Sequence, residues 1–270
     1  MLTPPILDNK SPSSPSLFVP SALLREARRQ KNLPAVQVPE VCILDPDGDI
    51  VRKLRESGKT NRFADWPCYH TELDRFALAG RETGIIGRVV GAAFAVLVAE
   101  ELFASGCRLL VSLTSAGQIV ASGPPPYFVI IDRALRDEGT SYHYAAPAEF
   151  AEADPRLVES AAKATSKGGP RVIVGATWTT DAPFRETTEA IEAARKKGIL
   201  GVEMEAAALY TFARSVGMPL LCLAHVTNTM GQDGLDFEKG DDDGTGDALR
   251  VLESVIEALY RELPAQGFLG

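Results

Sequence analysis

The sequence carries no excess of positive charge, no membrane-length apolar run and no paired cysteines. Each absence narrows the functions open to it. Its 28 lysines and arginines are outnumbered by 36 aspartates and glutamates, for a formal charge of −8. A protein whose main partner is a nucleic-acid backbone needs basic patches to displace counterions, so that partner is not expected. A small anion needs only one or two local cations and stays open. No apolar stretch reaches the roughly 18–20 residues that span a bilayer. The nearest one, Gly91–Gly106, is interrupted by Glu100 and Glu101. The first residues show no basic segment followed by an apolar one, so no secretory leader is expected and the cytoplasm is the expected compartment. Cys42, Cys68, Cys107 and Cys222 include no CxxC pair and are irregularly spaced. They are read as reduced, buried thiols rather than metal ligands or a disulfide framework.

What is present is an ordinary globular composition, 45% apolar and 24% charged over 270 residues, enough to build a sizeable core. Residues 1–20 are rich in serine and proline and are expected to form a flexible arm; residues 21–270 are expected to form one domain. Along that domain, short apolar runs such as VCILD (41–45), RLLVSLTS and PLLCLAHVTN alternate with helical patterns. The helices expected include one opening at Ser21 as N-cap, one opening at Asp154–Pro155, and one covering the whole of 201–217. FALAGRETGIIG suggests a hairpin around Gly80. Strands alternating with helices predict an α/β fold with a mixed central sheet flanked by helices, and ligands in such folds gather where strands end.

Several strand-end segments carry residues suited to chemistry. In GDIVR (48–52), Gly48 permits close backbone approach and Arg52 offers a fixed cationic fork; a solvated helix arginine is the plain alternative. In SLTSAGQI (112–119), a strand ending in small residues offers the Ser115 hydroxyl and free amides, or is simply a turn. In GVEMEAA, Glu203 and Glu205 are expected in a turn facing a common cleft, where carboxylates accept hydrogen bonds from vicinal hydroxyls and Met204 packs under a ring; helix N-terminal acids are the alternative. Asn228 closes an apolar strand with an amide that can both donate and accept, while His225 on the same strand reads as a satisfied strand histidine. In DAPFRE (181–186), Phe184 is suited to stacking on a base, and Arg185 and Glu186 to reading its edge. The aromatic run around His143 reads as packing or a subunit contact, and the acidic run 241–243 as a solvated loop.

Taken together and in order, GDIVR, ALRDEGTSYHY, TTDAPFRETTEAI and GVEMEAAALY resemble the nucleoside phosphorylase superfamily, in its uridine and hexameric purine phosphorylase branch, over roughly residues 40–260. The resemblance implies that phosphate attacks the anomeric carbon of a ribonucleoside, giving ribose 1-phosphate and a free base. It implies Gly48, Arg52 and Ser115 at the phosphate, Met204 and Glu205 at the ribose with Glu203 beside them, and Asn228 at the leaving base. Arg52, Glu205 and Asn228 would carry catalysis. It implies no metal and no organic cofactor, with inorganic phosphate as co-substrate. It also implies a homo-oligomer (dimer, trimer or hexamer), with Arg62, His70 and His143 as candidates for reaching a neighbour's site.

The sequence departs from the family pattern at three points. Ser112 stands where those enzymes carry a second arginine, and Arg88 or an arginine from a neighbouring subunit is the candidate replacement. The glycine-rich loop is reduced to RVVGAAF, with Gly91 retained. The glutamine and arginine that read uracil are not found after TTDAPF, which together with Asn228 favours purines over uridine. Hydrolysis by water and a non-catalytic nucleoside-binding role remain as alternatives to phosphorolysis.

Overall fold

The computed structural model describes residues 4–166, 168–229 and 238–263. Helix α1 (Pro20–Lys31) leads to strand β1 (Val41–Asp45), helix α2 (Asp49–Glu56) and a short strand β2 (Asn61–Arg62). The antiparallel hairpin β3 (Asp74–Leu78) and β4 (Arg81–Gly87) follows, then α3 (Ala92–Ala104), β5 (Leu109–Gln118) and β6 (Tyr127–Asp137). The chain continues through β7 (Phe150–Glu152), α4 (Pro155–Thr165), β8 (Val172–Thr180), α5 (Thr188–Lys196) and β9 (Gly201–Glu203). It closes with α6 (Ala206–Val216), β10 (Leu220–Asn228) and α7 (Thr245–Glu262).

The described strands form one mixed sheet. β5 pairs with β1, β9 and β10, and β10 also pairs with β6, which runs on through β8 to β9. The path β5–β10–β6–β8–β9–β5 therefore closes on itself as a distorted barrel, and β1, β4, β3 and β2 extend it as an open wing. The central strands are buried on both faces, which is why Val41–Leu44 of β1 and Leu220–Ala224 of β10 read as continuous apolar runs rather than alternating ones. One face packs against α3 and α6 through residues such as Val96, Leu102, Leu209 and Phe212. The other packs against α2, α4 and α7 through Val51, Leu157, Leu252 and Ile256. All four cysteines are buried and unpaired.

Three local expectations change. Helix α1 begins two residues early, with Pro20 at its first turn and Val19 rather than Ser21 at the flanking position, because proline is pre-set for a helix start. The helix expected across 201–217 is split: Gly201–Glu203 is drawn into the barrel as β9, and α6 starts at Ala206. The strand expected to end in small residues continues to Gln118, with Ser115 opposite His225 and Gly117 opposite Val202. The backbone of 115–117 thus runs in a strand ladder rather than forming an open nest. In the arm, residues 1–3 lie outside the described residues, and the 3-10 turn Pro5–Leu7 rests against the turn Ser141–His143.

β1, β4, β5 and β10 run parallel, so their carboxyl ends share one edge. β9 runs antiparallel to β5, so the turn after Glu203 doubles back along β5 to the same edge. Segments 48–52, 112–118, 201–205 and 225–228 all reach that edge.

Candidate functional site

The loop after β1 is organised by its last residue. Asp45 is buried, and its carboxylate accepts the amides of Gly48 at 3.2 Å and Val51 at 2.9 Å, fixing the first turn of α2. Burial pushes this carboxyl up to about 7 even though the Val51 and Gly48 amides pull it down. Its backbone carbonyl accepts the Arg88 amide at 2.9 Å, tying the end of β4 to the same loop. Gly48 has φ +80°, and a Cβ there would lie 2.8 Å from Arg88 Cγ, so both conformation and space require glycine. Arg88 itself has φ +63°, a conformation that costs a non-glycine residue energy and that tends to be kept where a side chain must be aimed.

Gly48, Arg52 and Arg88, the residues expected at phosphate, line one cavity of about 400 Å³ with Arg55, His70 and Phe94. Arg52 is not a free cation. Its guanidinium donates to Asp49 at 3.3 Å, Glu56 at 3.3 Å and Asp243 at 2.5 Å, and these partners, Asp243 first, hold its pKa above the ordinary arginine value. Asp243 belongs to the acidic run expected to be a solvated loop. Asp242 and Asp243 instead take left-handed conformations and pair with Lys53 and Arg52 of α2.

Ser115 lies on the other side of the Asp45–Asp49 loop. It lines a second cleft of about 20 Å³ with Asp47, Lys239, His225 and Thr245. Its hydroxyl donates to Asp47 at 3.0 Å, and Lys239 donates to Asp47 at 3.3 Å and Asp49 at 2.6 Å. His225 stacks on Phe128, with ring centroids 4.4 Å apart, and is buried. Burial, then the Lys239 charge, pushes its pKa down to about 4, so the imidazole is neutral. Its Nε2 has no protein hydrogen-bond partner among the described residues, so the expectation of a fully satisfied strand histidine does not hold. Ser112, where the family arginine is missing, is buried and its Oγ is likewise without a partner.

The two glutamates of GVEMEAA have different jobs. Glu203 is buried and every contact of its carboxylate is internal. One oxygen accepts the hydroxyls of Thr177 at 3.1 Å and Thr179 at 2.5 Å; the other accepts the amides of Glu205 and Ala206, both at 2.7 Å. It ties β8 to the start of α6 and positions the turn that presents Met204 and Glu205. Glu205 Oε1 accepts the Gly91 amide at 2.7 Å. Burial, followed by the neighbouring Glu203 carboxylate, pushes Glu205 upward, while the Gly91 amide and the Thr114 hydroxyl oppose the shift. Gly91 precedes α3 and ends the loop that starts at Arg88, so one four-residue loop joins the cationic cavity to Glu205. Met204, half-buried, is the most exposed of the three.

Asn228 ends β10 beside a bulge, aligned with Gly117 and half-buried. Residues 230–237, which follow it, lie outside the described residues. Phe184 is 99% exposed on the 3-10 turn Pro183–Arg185, so the ring is not brought against the other candidates. The half-buried Glu186 is pushed up to about 6 by burial. Arg62 pairs with Glu72, and His143 is exposed. Among the described residues no group of three or more His, Cys, Asp or Glu is placed to hold a metal ion, and no helix is long and apolar enough to cross a membrane.

The family model described as the phosphorylase superfamily matches residues 40–257. A DeoD-type purine nucleoside phosphorylase of Shewanella denitrificans is 26% identical over 151 residues, 55% of this chain and 64% of that protein. The chain thus spans less than two thirds of that relative's length. A guanosine phosphorylase of Halorubrum lacusprofundi is 24% identical over 230 residues, 83% of this chain and 90% of that protein. Among solved structures, a uridine phosphorylase from Vibrio fischeri superimposes with a TM-score of 0.71 at 20% identity, covering 84% of this chain and 95% of that one. A purine nucleoside phosphorylase from Toxoplasma gondii, in complex with immucillin-H, gives 0.72 at 15% identity, covering 85% and 95%. At these identities the structural likeness speaks for the fold.

Proposed function

The chain belongs to the phosphorylase superfamily, and from that premise we propose that it splits the N-glycosidic bond of a purine ribonucleoside with inorganic phosphate. The products are the free base and ribose 1-phosphate. The observation that carries the reading is the loop Arg88–Gly91, which joins the Arg52–Arg88 cavity at one end to Glu205 at the other. A nucleoside whose hydroxyls reach Glu205 and whose ring lies on Met204 would turn its anomeric carbon toward that cavity. Bond cleavage builds positive charge on the sugar and negative charge on the base. An anion held beneath the ring stabilises the first, and a donor such as the Asn228 amide stabilises the second. Glu205 contributes by fixing the ring in line with the nucleophile. Asn228 donates without needing protonation, which suits the oxo group or N7 of a 6-oxopurine.

A homo-oligomer fits this reading. Phe184, 99% exposed, and Phe18, 68% exposed, are large apolar side chains that a second copy can cover. Hydrolysis is the second reading. It is favoured by Ser112, whose buried hydroxyl replaces a charged phosphate ligand of the family pattern. The test is base release from inosine, guanosine, adenosine and uridine with and without phosphate. Phosphorolysis requires release that rises with phosphate, strongest on purines, with ribose 1-phosphate accumulating. Release at the same rate without phosphate, yielding free ribose, would replace it with hydrolysis.

A further inference from the structure

The Asp45–Asp49 loop separates two spaces. Gly48 and Arg52 line the 400 Å³ cavity; Asp47 lines the 20 Å³ cleft with Ser115 and Lys239. A space of about 20 Å³ holds one water molecule and not a phosphate ion. Yet Ser115 and Lys239 are a hydroxyl and an ammonium, donors suited to a phosphate oxygen. Both already donate to Asp47, which is only partly buried, with 29% of its side chain exposed. Two further polar atoms of residues lining the same cleft have spare capacity: the buried His225 Nε2 and Thr245 Oγ1 have no hydrogen-bond partner among the described residues. The arrangement is a set of anion donors with a carboxylate of the chain itself in the middle.

Resting on the phosphate-dependent reading above, we propose that Asp47 is an internal competitor of phosphate. Its carboxylate holds the Ser115 hydroxyl and the Lys239 ammonium, and phosphate engages them only when Asp47 swings out. Asp49 and Asp243 occupy Lys239 and Arg52 in the same sense, but both are tied to α2, whereas Asp47 sits in the loop before it. Asp47 therefore sets phosphate affinity low and makes it adjustable by one side chain. A carboxylate near 3 Å from a phosphate oxygen repels it; removing the Asp47 charge ends that repulsion and leaves Lys239 with Asp49 as its one remaining carboxylate partner among the described residues.

The test is Asp47→Asn in the full chain, with inorganic phosphate titrated calorimetrically and the phosphate KM measured with inosine. Asparagine keeps an acceptor for Ser115 but removes the charge, so roughly tenfold tighter phosphate binding is expected, the factor of about one charge-assisted hydrogen bond. A thermal melt of the variant separates a folding defect from a binding effect, and Asp47→Ala serves as a second folded variant expected to shift in the same direction. Unchanged or weaker phosphate binding in both overturns the proposal. The binding arm needs no turnover. Tighter binding without any turnover in either protein would sink the phosphorolysis reading and leave this one standing. Turnover with an unchanged phosphate KM would do the reverse.

Discussion

Replacing Glu203 separates scaffold from chemistry within a single motif. Its carboxylate accepts four hydrogen bonds, two from the threonine hydroxyls of β8 and two from amides at the start of α6. In Glu203→Ala the hydroxyls can turn to other acceptors, but the two buried amides cannot. Each orphaned amide costs about 1–3 kcal/mol, and the vacated space adds to this. Against that stands relief from burying a carboxylate whose pKa is raised by desolvation. The net loss expected is about 3–5 kcal/mol, the range for removing one member of a buried polar network, and a fall in Tm of very roughly 6–15 °C for a chain of this size. Glu203→Gln should behave differently. Its amide oxygen can face the Glu205 and Ala206 amides while its NH₂ donates to Thr177 and Thr179, and Thr179 still accepts the Ala207 amide. Glutamine is the neutral isostere of the protonated acid, so a loss of only about 1 kcal/mol is expected. Denaturant titration and calorimetric melts of both variants measure this. If the alanine variant lost less than about 1 kcal/mol, or if glutamine proved as damaging as alanine, Glu203 would not be the tie between β8 and α6.

The other expectations concern charge and catalysis. Asp45 is raised from its ordinary value of 3.8 to about 7 in the fold, so its contribution to stability is complete below pH 4 and lost as pH rises through 7. Asp45→Asn should flatten the decline in denaturant midpoint between about pH 4 and 7. His225 has the opposite sign: lowered from 6.5 to about 4, it supports the fold above pH 6.5 and destabilises it as pH falls toward 4, a slope that His225→Gln should remove from acid titrations followed by circular dichroism. Arg88→Gly relieves a left-handed arginine, so its melting temperature should hold or rise, while phosphate KM increases roughly 10- to 100-fold through loss of a charged donor. Asn228→Ala should lower kcat for inosine about 10²-fold with little change in stability, since the residue is half-exposed at a strand end.

Much of this fold could be read in advance because its signals are local. VCILD is apolar from Val41 to Leu44 since β1 is covered on both faces, and Asp154–Pro155 starts α4 as such a pair should. Closure of the sheet was not legible. β9 is three residues long and exists through pairing with β5 and β8, so GVE looked like the beginning of the alanine-rich helix that follows. The same limit applies to the site. Gly48 and Arg52 could be nominated by residue type and Arg88 as the stand-in for an arginine missing at Ser112, and the three line one cavity. Asp49 stands three residues before Arg52, an ordinary helix spacing, but the pairing of Arg52 with Asp243, 191 residues away, and of Lys239 with Asp47, 192 residues away, has no local signal. No spacing rule reports such a pairing, and a run of three aspartates looks like any solvated loop.

That long-range pairing changes what the motif means. A glycine and an arginine at the start of a helix are an anion site only if nothing else in the chain answers the charge. Here Arg52 and Lys239 together meet Asp47, Asp49, Glu56 and Asp243 before any ligand arrives. Arg88 forms no ion pair among the described residues, and its left-handed backbone and its packing over Gly48 keep it at the cavity. On the proposed reading, phosphate entering the 400 Å³ cavity would meet Arg88 and compete with Asp49, Glu56 and Asp243 for Arg52, while Asp47 and Asp49 hold Lys239 in the cleft on the other side of the loop. Its affinity is then a difference between two anions competing for the same donors rather than a sum of contacts. It follows that substitutions of the acids should move phosphate binding as far as substitutions of the arginines do, and in the opposite direction.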